Sequence, residues 1–255
     1  MDVQLLGAHN CESASTRLSG ILIDDKIAVD AGSLTSSLSL DAQEQLEAVL
    51  LTHQHYDHIR DILALAMNTY LAGNTVNIYS IEPVYNVLDA LFESNIYHNF
   101  MKRPEENPAV NFTIIEPQKS ILIGGYEILA VTESHSVPAV GYQVTSPDGK
   151  VLYFTGDTGQ GLKECWEQIS PQLLIIECTA CNSFNEFGKR AGHMTPALLK
   201  EELISFREIK GYLPRVVTVH MSPRLEEEIK PELAAVSEEL NSPILMGYEG
   251  MQLQL

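Results

Sequence analysis

Short apolar segments bounded by polar or glycine residues recur along the whole chain and predict β-strands. The segments that predict strands are 3–6, 20–29 (a hairpin), 48–52, 75–79, 110–115, 120–123, 126–131, 140–145, 150–154, 173–176, 215–219, 244–246 and 250–253. Apolar residues at helical spacing predict helices at 40–46, 59–71, 82–92, 196–206 and 225–240. This order, with strands first and alternating strands and helices last, predicts an α/β sandwich: two mixed β-sheets with helices on the outer faces.

A cluster of His and Asp lies where one predicted strand gives way to a helix. The apolar segment stops at Thr52, and residues 53–58 read HQHYDH. In extended backbone, residues two apart point the same way, so His53 and His55 can bind one metal ion together. Asp57 and His58 are adjacent, so they diverge and can face a second ion. Neutral imidazoles and a carboxylate suit zinc, iron or manganese; a solvated loop that is rich in His by chance is the alternative.

Further candidates follow other predicted strands. His135, Asp157, Glu177 and His220 each stand at a strand end or in the adjoining loop, where ligands bind in α/β sheets. Each alone would more often be a capping or core residue, but with the cluster they give the ligand count of a two-metal site. Glu177 could orient His193, and His193 could then stabilise the transferring group or protonate the leaving group.

Composition narrows the function classes. Lys and Arg number 16 and Asp and Glu number 34, so the formal net charge is −18. Such a surface repels polyanions, so nucleic acid and anionic membranes are not expected as partners. The chain lacks an apolar segment of the ~18 residues that span a bilayer, and its first residues lack the features of a signal peptide. We therefore expect one domain over residues 1–255, although two small domains would also fit, in a cytoplasmic protein with reduced thiols.

Two further features are less specific. Cys178 and Cys181 could form a redox or metal pair, but they lack the helix-start context of a redox motif, so we expect free thiols. The polar segment 95–108 is the best candidate for a loop over a site, in its own chain or in the partner subunit of a homodimer. An ordinary surface connection is equally compatible, and His98 within it is not predicted to be a ligand.

The motif HxHxDH at 53–58 resembles the signature of the metallo-β-lactamase superfamily. TESH at 132–135, FTGD at 154–157 and VTVH at 217–220 resemble its later motifs, and Asp30-Ala31-Gly32 resembles its first, in which the Asp orients the metal loop. On sequence alone, Asp30 as a plain turn residue is equally plausible. The resemblance implies two divalent metal ions, most simply zinc, with manganese or iron as alternatives. It implies a first ion bound by His53, His55 and His135, a second bound by Asp57, His58 and His220, and Asp157 bridging both.

The downstream half resembles the phosphodiesterase branch of that superfamily, which includes ribonuclease Z and class II cyclic-nucleotide phosphodiesterases. GHMTP at 192–196 and HMSPR at 220–224 carry this resemblance, and Glu177 and His193 match the carboxylate and His of the branch. It implies a hydrolase in which a metal-bridging hydroxide attacks a cyclic nucleotide or other small phosphodiester. Asp57, Glu177 and His193 are then the catalytic residues, and Arg224 could pair with the substrate phosphate.

Three other functions stay open. A ribonuclease Z-like endonuclease that processes tRNA 3′ ends is the first, but ribonuclease Z carries a basic arm, commonly between the third and fourth motifs. The short stretch between His135 and Asp157 leaves room for a hairpin alone. The second is hydrolysis of a thioester or lactone, which does not need Glu177 and His193. The third is redox chemistry at two irons, a branch that favours Glu in place of His55.

Overall fold

In the computed structural model, which describes residues 1–255, fourteen strands form two sheets of seven strands each. The first sheet contains β1 (Asp2–Gly7), β2 (Gly20–Ile23), β3 (Ile27–Val29), β4 (Ala48–Leu50), β5 (Val76–Ser80), β6 (Val110–Ile114) and β14 (Gln252–Gln254). Its order is β14-β1-β2-β3-β4-β5-β6. Pairs from β14 to β3 are antiparallel, and pairs from β3 to β6 are parallel.

The second sheet repeats this mixed arrangement. It contains β7 (Ser120–Ile123), β8 (Tyr126–Thr132), β9 (Val140–Thr145), β10 (Val151–Phe154), β11 (Leu173–Glu177), β12 (Arg215–Val219) and β13 (Ile244–Met246). Its order is β13-β12-β11-β10-β9-β8-β7, parallel from β13 to β10 and antiparallel from β10 to β7. The predicted class, two mixed sheets with helices, is confirmed.

Nine helices connect or follow these strands. They are α1 (Leu34–Ser37), α2 (Leu40–Glu44), α3 (Tyr56–Ile59), α4 (Ile62–Ala72), α5 (Glu82–Glu93), α6 (Lys163–Gln168), α7 (Asn185–Ala191), α8 (Pro196–Lys210) and α9 (Glu226–Leu240). Thr195 caps α8 as predicted, because its Oγ1 accepts the N–H of Leu198, and Pro196 takes the first helical position. The sequence pattern missed α1, α6 and α7, which are short.

Two apolar clusters hold the layers together. The larger has 45 buried residues from both sheets and from helices such as α4 and α5, which contribute Leu65 and Leu88. The smaller has 21 buried residues and packs β11 and β12 against α6, α8 and α9, with Trp166 and Phe206 among its largest side chains. Continuous apolar runs such as Leu173–Ile176 are buried completely, because both faces of their sheet are covered.

The predicted start of the helix that follows the cluster was wrong. The helix that we expected to begin after His58 begins at Tyr56 and breaks at Arg60 and Asp61, so Asp57 and His58 lie in its first turn. Apolar periodicity could not show this, because the polar residues that start α3 have no apolar stripe.

Segment 95–108 does not lie over the His/Asp cluster of its own chain. It enters β6 at Val110, which pairs with Val76 at the start of β5. Since β4 and β5 are parallel and the cluster follows the end of β4, the segment lies at the opposite edge of the sheet. Its Phe100 is buried in the core, with its ring centroid 5.2 Å from that of Tyr70.

Candidate metal centre

Parallel pairing brings the predicted site residues to one edge of the sandwich. In the second sheet, β10, β11 and β12 are parallel neighbours, so Asp157, Glu177 and His220 at or beyond their carboxyl ends become neighbours. The strand β8, two places along, runs in the same direction and leads to His135. In the first sheet, β4 leads to the cluster that begins at His53.

The first predicted ligand set is assembled in space. Four potential ligand atoms lie within 4.8 Å of one another, one each from His53, His55, His135 and Asp157. His55 Nδ1 is 3.2 Å from His135 Nε2, and the ring centroids of His53 and His135 are 4.8 Å apart. The side chains of His53 and His135 are fully buried, whereas His55 is partly exposed, so this group opens toward solvent on the His55 side.

The second predicted set is assembled beside it. Ligand atoms of Asp57, His58, Asp157 and His220 also lie within 4.8 Å of one another. The Nε2 of His220 is 3.0 Å from Asp57 Oδ2, and the Nε2 of His58 is 3.7 Å from the same oxygen. His220 follows the last residue of β12 and has a φ of 61°, a left-handed conformation that is uncommon for His. This conformation ends the strand and directs the side chain of His220 into the site.

Asp157 stands between the two groups, and each of its oxygens faces one of them. Its Oδ1 is 3.1 Å from His58 Nε2 and 3.4 Å from His220 Nε2. Its Oδ2 is 3.8 Å from His53 Nε2 and 3.9 Å from His135 Nε2. A carboxylate placed in this way can bridge two cations.

The chemistry of the donor atoms fits divalent cations. His53 Nε2, His58 Nε2 and Asp157 Oδ1 are buried and have no hydrogen-bond partner, although buried polar atoms are nearly always paired. Burial holds the pKa of His53 well below its usual value, so its imidazole is neutral and free to bind a metal. Burial also lowers the pKa of His58, but Asp157 and Asp30 outweigh that effect and raise it well above the usual value. The carboxylates around His58 therefore favour positive charge.

Hydrogen bonds from the protein orient these imidazoles. Asp30 Oδ2 is 2.6 Å from His58 Nδ1, and Asp30 Oδ1 accepts the N–H of Thr52 at 2.9 Å. Thr52 Oγ1 lies 3.0 Å from His53 Nδ1. The Nδ1 of His135 donates to the carbonyl of Gly192 at 2.9 Å. Asp30 therefore contacts the metal loop, as the resemblance implied, and it also has the positive φ of 60° of a turn residue.

Glu177 and His193 form a pair next to the second group. His193 Nδ1 is 2.8 Å from Glu177 Oε1, and Glu177 is fully buried. Burial lowers the pKa of His193, but the charge and hydrogen bond of Glu177 outweigh it and raise the pKa to about 9. Asp157, Glu177, His193 and His220 also form a third set with ligand atoms within 4.8 Å of one another, which sequence reasoning did not propose as a metal group.

Thr179 was missed by sequence reasoning. Its hydroxyl donates to Glu177 Oε2 at 2.6 Å and lies 2.8 Å from His220 Nδ1, so it joins the His193 pair to the second group. Its position two residues after Glu177 is the only signal in the sequence.

The sequence pattern also did not explain Gly156: its φ is +63°, and a Cβ there would lie 2.8 Å from Thr52. Only glycine lets the turn before Asp157 approach Thr52 so closely.

The remaining candidates lie outside these groups. Arg224 is exposed and takes part in none of the ion pairs in the structure. Cys178 and Cys181 are buried free thiols, as expected. His98 lies beside Phe100 in segment 95–108, away from the cluster.

The two-sheet sandwich with a His/Asp cluster on its shared edge defines a protein of the metallo-β-lactamase fold. The profile of the beta-lactamase superfamily domain matches residues 22–221, and the chain belongs to that superfamily. The predicted family and fold are therefore confirmed.

Individual relatives agree with this assignment. The ribonuclease Z of Methanopyrus kandleri is 26% identical over 135 residues, which are 50% of this chain and 44% of that protein. Among solved structures, the metallo-β-lactamase fold protein YhfI of Bacillus subtilis has a TM-score of 0.77 and 19% identity, covering 99% of this chain and 98% of that one. Unliganded yeast PDE1 has a TM-score of 0.83 and 16% identity, covering 100% and 99%.

These comparisons correct one expectation. The alignments span less than half the length of the curated relatives, and both of those relatives are named ribonuclease Z. The expected exclusion of nucleic acid as a partner is therefore not supported.

No helix in the structure is both long and apolar enough to cross a bilayer.

Proposed function

We propose that this protein is a metal-dependent phosphodiesterase that hydrolyses a cyclic nucleotide or another small phosphodiester. The observation that carries the proposal is the placement of Asp157, whose two oxygens face two His groups with unpartnered donor atoms. The superfamily assignment and the relatives named ribonuclease Z support the same reaction class. The proposal treats residues 1–255 as one domain, because one core joins both sheets.

The metal ligands in this proposal are those that the sequence suggested. We assign one divalent cation to His53, His55 and His135, and another to Asp57, His58 and His220, with Asp157 shared. Two such cations, zinc or alternatively manganese or iron, would supply Lewis acidity and lower the pKa of a water molecule between them. Every imidazole in these sets can bind only when neutral. The low pKa values of His53 and His55, caused mainly by burial, keep those two neutral. Burial lowers the pKa of His58, but Asp157 and Asp30 raise it well above its usual value, so His58 must lose a proton when a cation binds.

His193 acts on the leaving group. With a pKa raised to about 9 in the absence of cations, it holds a proton at neutral pH and can donate it through Nε2 while Nδ1 stays on Glu177. Its side chain is 18% exposed, so a substrate can reach it. In hydrolysis, water adds to phosphorus and releases one proton to solvent, the bond from phosphorus to the ester oxygen breaks, and that oxygen takes the proton of His193, which solvent then restores. Exposed Arg224, four residues after His220, would bind a phosphate oxygen.

A substrate panel with the zinc- or manganese-loaded protein tests this proposal. The panel contains bis-p-nitrophenyl phosphate, 3′,5′-cyclic nucleotides, a pre-tRNA and a lactone. We expect cleavage of the phosphodiesters and its loss after chelation. Lactone cleavage without phosphodiester cleavage would contradict the proposal and favour the acyl-hydrolase alternative.

Endonucleolytic cleavage of RNA is the second candidate, because both curated relatives are named ribonuclease Z. Between His135 and Asp157 the chain forms only the hairpin of β9 and β10, turning at Pro147, Asp148 and Gly149. With a net charge of −18, this chain also offers few cations to a tRNA. We therefore rank a small phosphodiester above RNA, and the pre-tRNA in the panel decides between them.

A further inference from the structure

One buried imidazole with an unpartnered nitrogen belongs to none of the metal groups described above. His9 follows β1 and is 3% exposed, and its Nε2 is buried without a hydrogen-bond partner. Its backbone forms β-bridges with Leu18 and Met221, so it lies beside the segment that leaves His220. Because buried polar atoms are nearly always paired, the free Nε2 indicates a site for a ligand.

A carboxylate fixes the orientation of this ring. Glu249, in the turn before β14, places its Oε1 2.5 Å from His9 Nδ1. The same oxygen accepts the backbone N–H of Arg17 at 2.8 Å, which holds the carboxylate against the loop that carries His9. When Nδ1 donates its proton to Glu249, the lone pair of Nε2 is free and points away from that carboxylate. Metal-binding His residues typically have a carboxylate or a carbonyl on the other ring nitrogen in this way.

A second carboxylate stands on the free side of the ring. Glu226, in the first turn of α9, places its Oε2 3.6 Å from His9 Nε2. This separation is too long for a hydrogen bond between the two atoms. It fits two ligands of one cation, because bonds of about 2.0–2.1 Å that meet at a tetrahedral angle hold their ligand atoms about 3.4 Å apart. The side chain of Glu226 is 39% exposed, so an ion can enter from solvent.

The charges at this position favour a divalent cation. Burial lowers the pKa of His9, but Glu249 and Glu226 outweigh that effect and raise it, so the position attracts positive charge. No Lys or Arg forms an ion pair with either carboxylate in the structure. Of the two negative charges, a proton on His9 offsets one, whereas a divalent ion in its place would offset both.

We propose that His9 Nε2 and Glu226 Oε2 bind one divalent cation, separate from the two ions proposed above, and that Glu249 orients His9 for it. An imidazole nitrogen and a carboxylate oxygen suit zinc, and water molecules complete its coordination. With only two protein ligands, this ion is bound more weakly than the other two and is lost on desalting. It ties the loop after β1 to α9 across residues 221–225, so it stabilises the segment that follows His220.

Equilibrium dialysis against zinc at pH 8 tests this inference, because it measures a weakly bound ion without a desalting step. The wild type is compared with E226A and with the matched control E227A, since Glu227 is the next residue of α9 and is exposed. We expect E226A to bind one zinc ion fewer than the wild type and E227A to bind the same number. The difference between the two variants carries the test, so it does not depend on the occupancy of the other groups.

Thermal unfolding over the same zinc concentrations gives a second readout. Zinc at about ten times the Kd of this site should raise Tm by about 3 °C in the wild type and in E227A, because an ion that binds only the folded chain stabilises it. E226A should lack this increase, although its two stronger groups are filled.

Equal zinc contents of E226A and E227A, or equal zinc-dependent increases in their Tm, would overturn the inference and leave His9 and Glu226 as an ion pair only. Neither readout requires hydrolysis of a substrate. Failure of the proposed function would therefore leave this test intact, and failure of this test would leave the proposed function intact.

Discussion

The side chains of Glu177 and His193 are joined by a hydrogen bond of 2.8 Å between Oε1 and Nδ1. Glu177 also accepts the N–H of Thr158 at 2.8 Å and that of Met194 at 3.1 Å. These two hydrogen bonds hold the carboxylate in place independently of the imidazole. The pair is therefore rigid, and the free Nε2 of His193 has a defined direction.

Replacing His193 with Ala should lower kcat for a phosphodiester by about 10²–10⁴-fold, the usual contribution of a general acid. Metal content should stay unchanged, because His193 is in neither proposed ligand set. The comparison variant is H98A, since His98 lies in segment 95–108 at the opposite edge of the sheet. Full activity of H193A would exclude the proposed role.

The substitution Glu177→Gln tests how His193 is tuned. It removes the carboxylate charge that raises the pKa of His193, so the alkaline limb of kcat should move to lower pH. The measurement is the pH profile of kcat at saturating metal. A lower kcat at every pH, with the alkaline limb at the same position, would mean that Glu177 has only a structural role.

Many residues of the candidate site could be singled out because they have local signals in the sequence. The His residues at 53, 55 and 58 fall within six positions of the sequence, and Asp157 and His220 lie within three residues of the ends of buried strands. The orienting groups Thr52 and Thr179 have no such signal, since their contacts exist only after the strands pair. The position of segment 95–108 also depends on strand pairing, because the parallel alignment of β5 and β6 places it away from the cluster.

Asp30→Asn tests the orientation of His58. Asn can retain a hydrogen bond to Nδ1 but not the charge, so metal affinity should fall by about 10–100-fold, as for other carboxylates that hold a ligating His. The measurement is competition with a metal-sensitive chelator. Asp41→Asn, at an exposed position of α2, is the control; equal affinities of the two variants would contradict the role of Asp30.

Thr179→Val should weaken the second metal group while the shape of the side chain is kept. The change removes the hydroxyl that lies 2.8 Å from His220 Nδ1 and also bonds Glu177. We expect loss of about half the bound metal, or about tenfold weaker binding, measured by elemental analysis after dialysis. Thr179→Ser keeps the hydroxyl and should bind as much metal as the wild type. A loss of metal in T179S as large as that in T179V would show that side-chain packing, not the hydroxyl, is responsible.

A pH-dependent stability is expected from His9, which is buried with Nδ1 2.5 Å from Glu249 Oε1. Burial lowers the pKa of His9, but Glu249 and Glu226 outweigh that and raise it above 6.5. Because the folded-state pKa is raised, this stabilisation is complete below pH 6.5 and is lost as pH rises through the folded pKa.

The substitution Glu249→Gln should therefore lower Tm at pH 6 by about 2–4 °C, and by less at pH 9. Thermal unfolding of this variant and of E227Q, at an exposed position of α9, measures the difference. A Tm decrease that is the same at both pH values would show that the ion pair does not titrate as described.

The number of cations bound per chain tests the central claim most directly. The protein is stripped with a chelator, saturated with zinc or manganese, desalted and analysed for metal against protein concentration. The account predicts two ions per chain in the wild type and fewer than one in D157N, because Asp157 faces both groups. A wild-type value near zero, or the same value in both proteins, would contradict it.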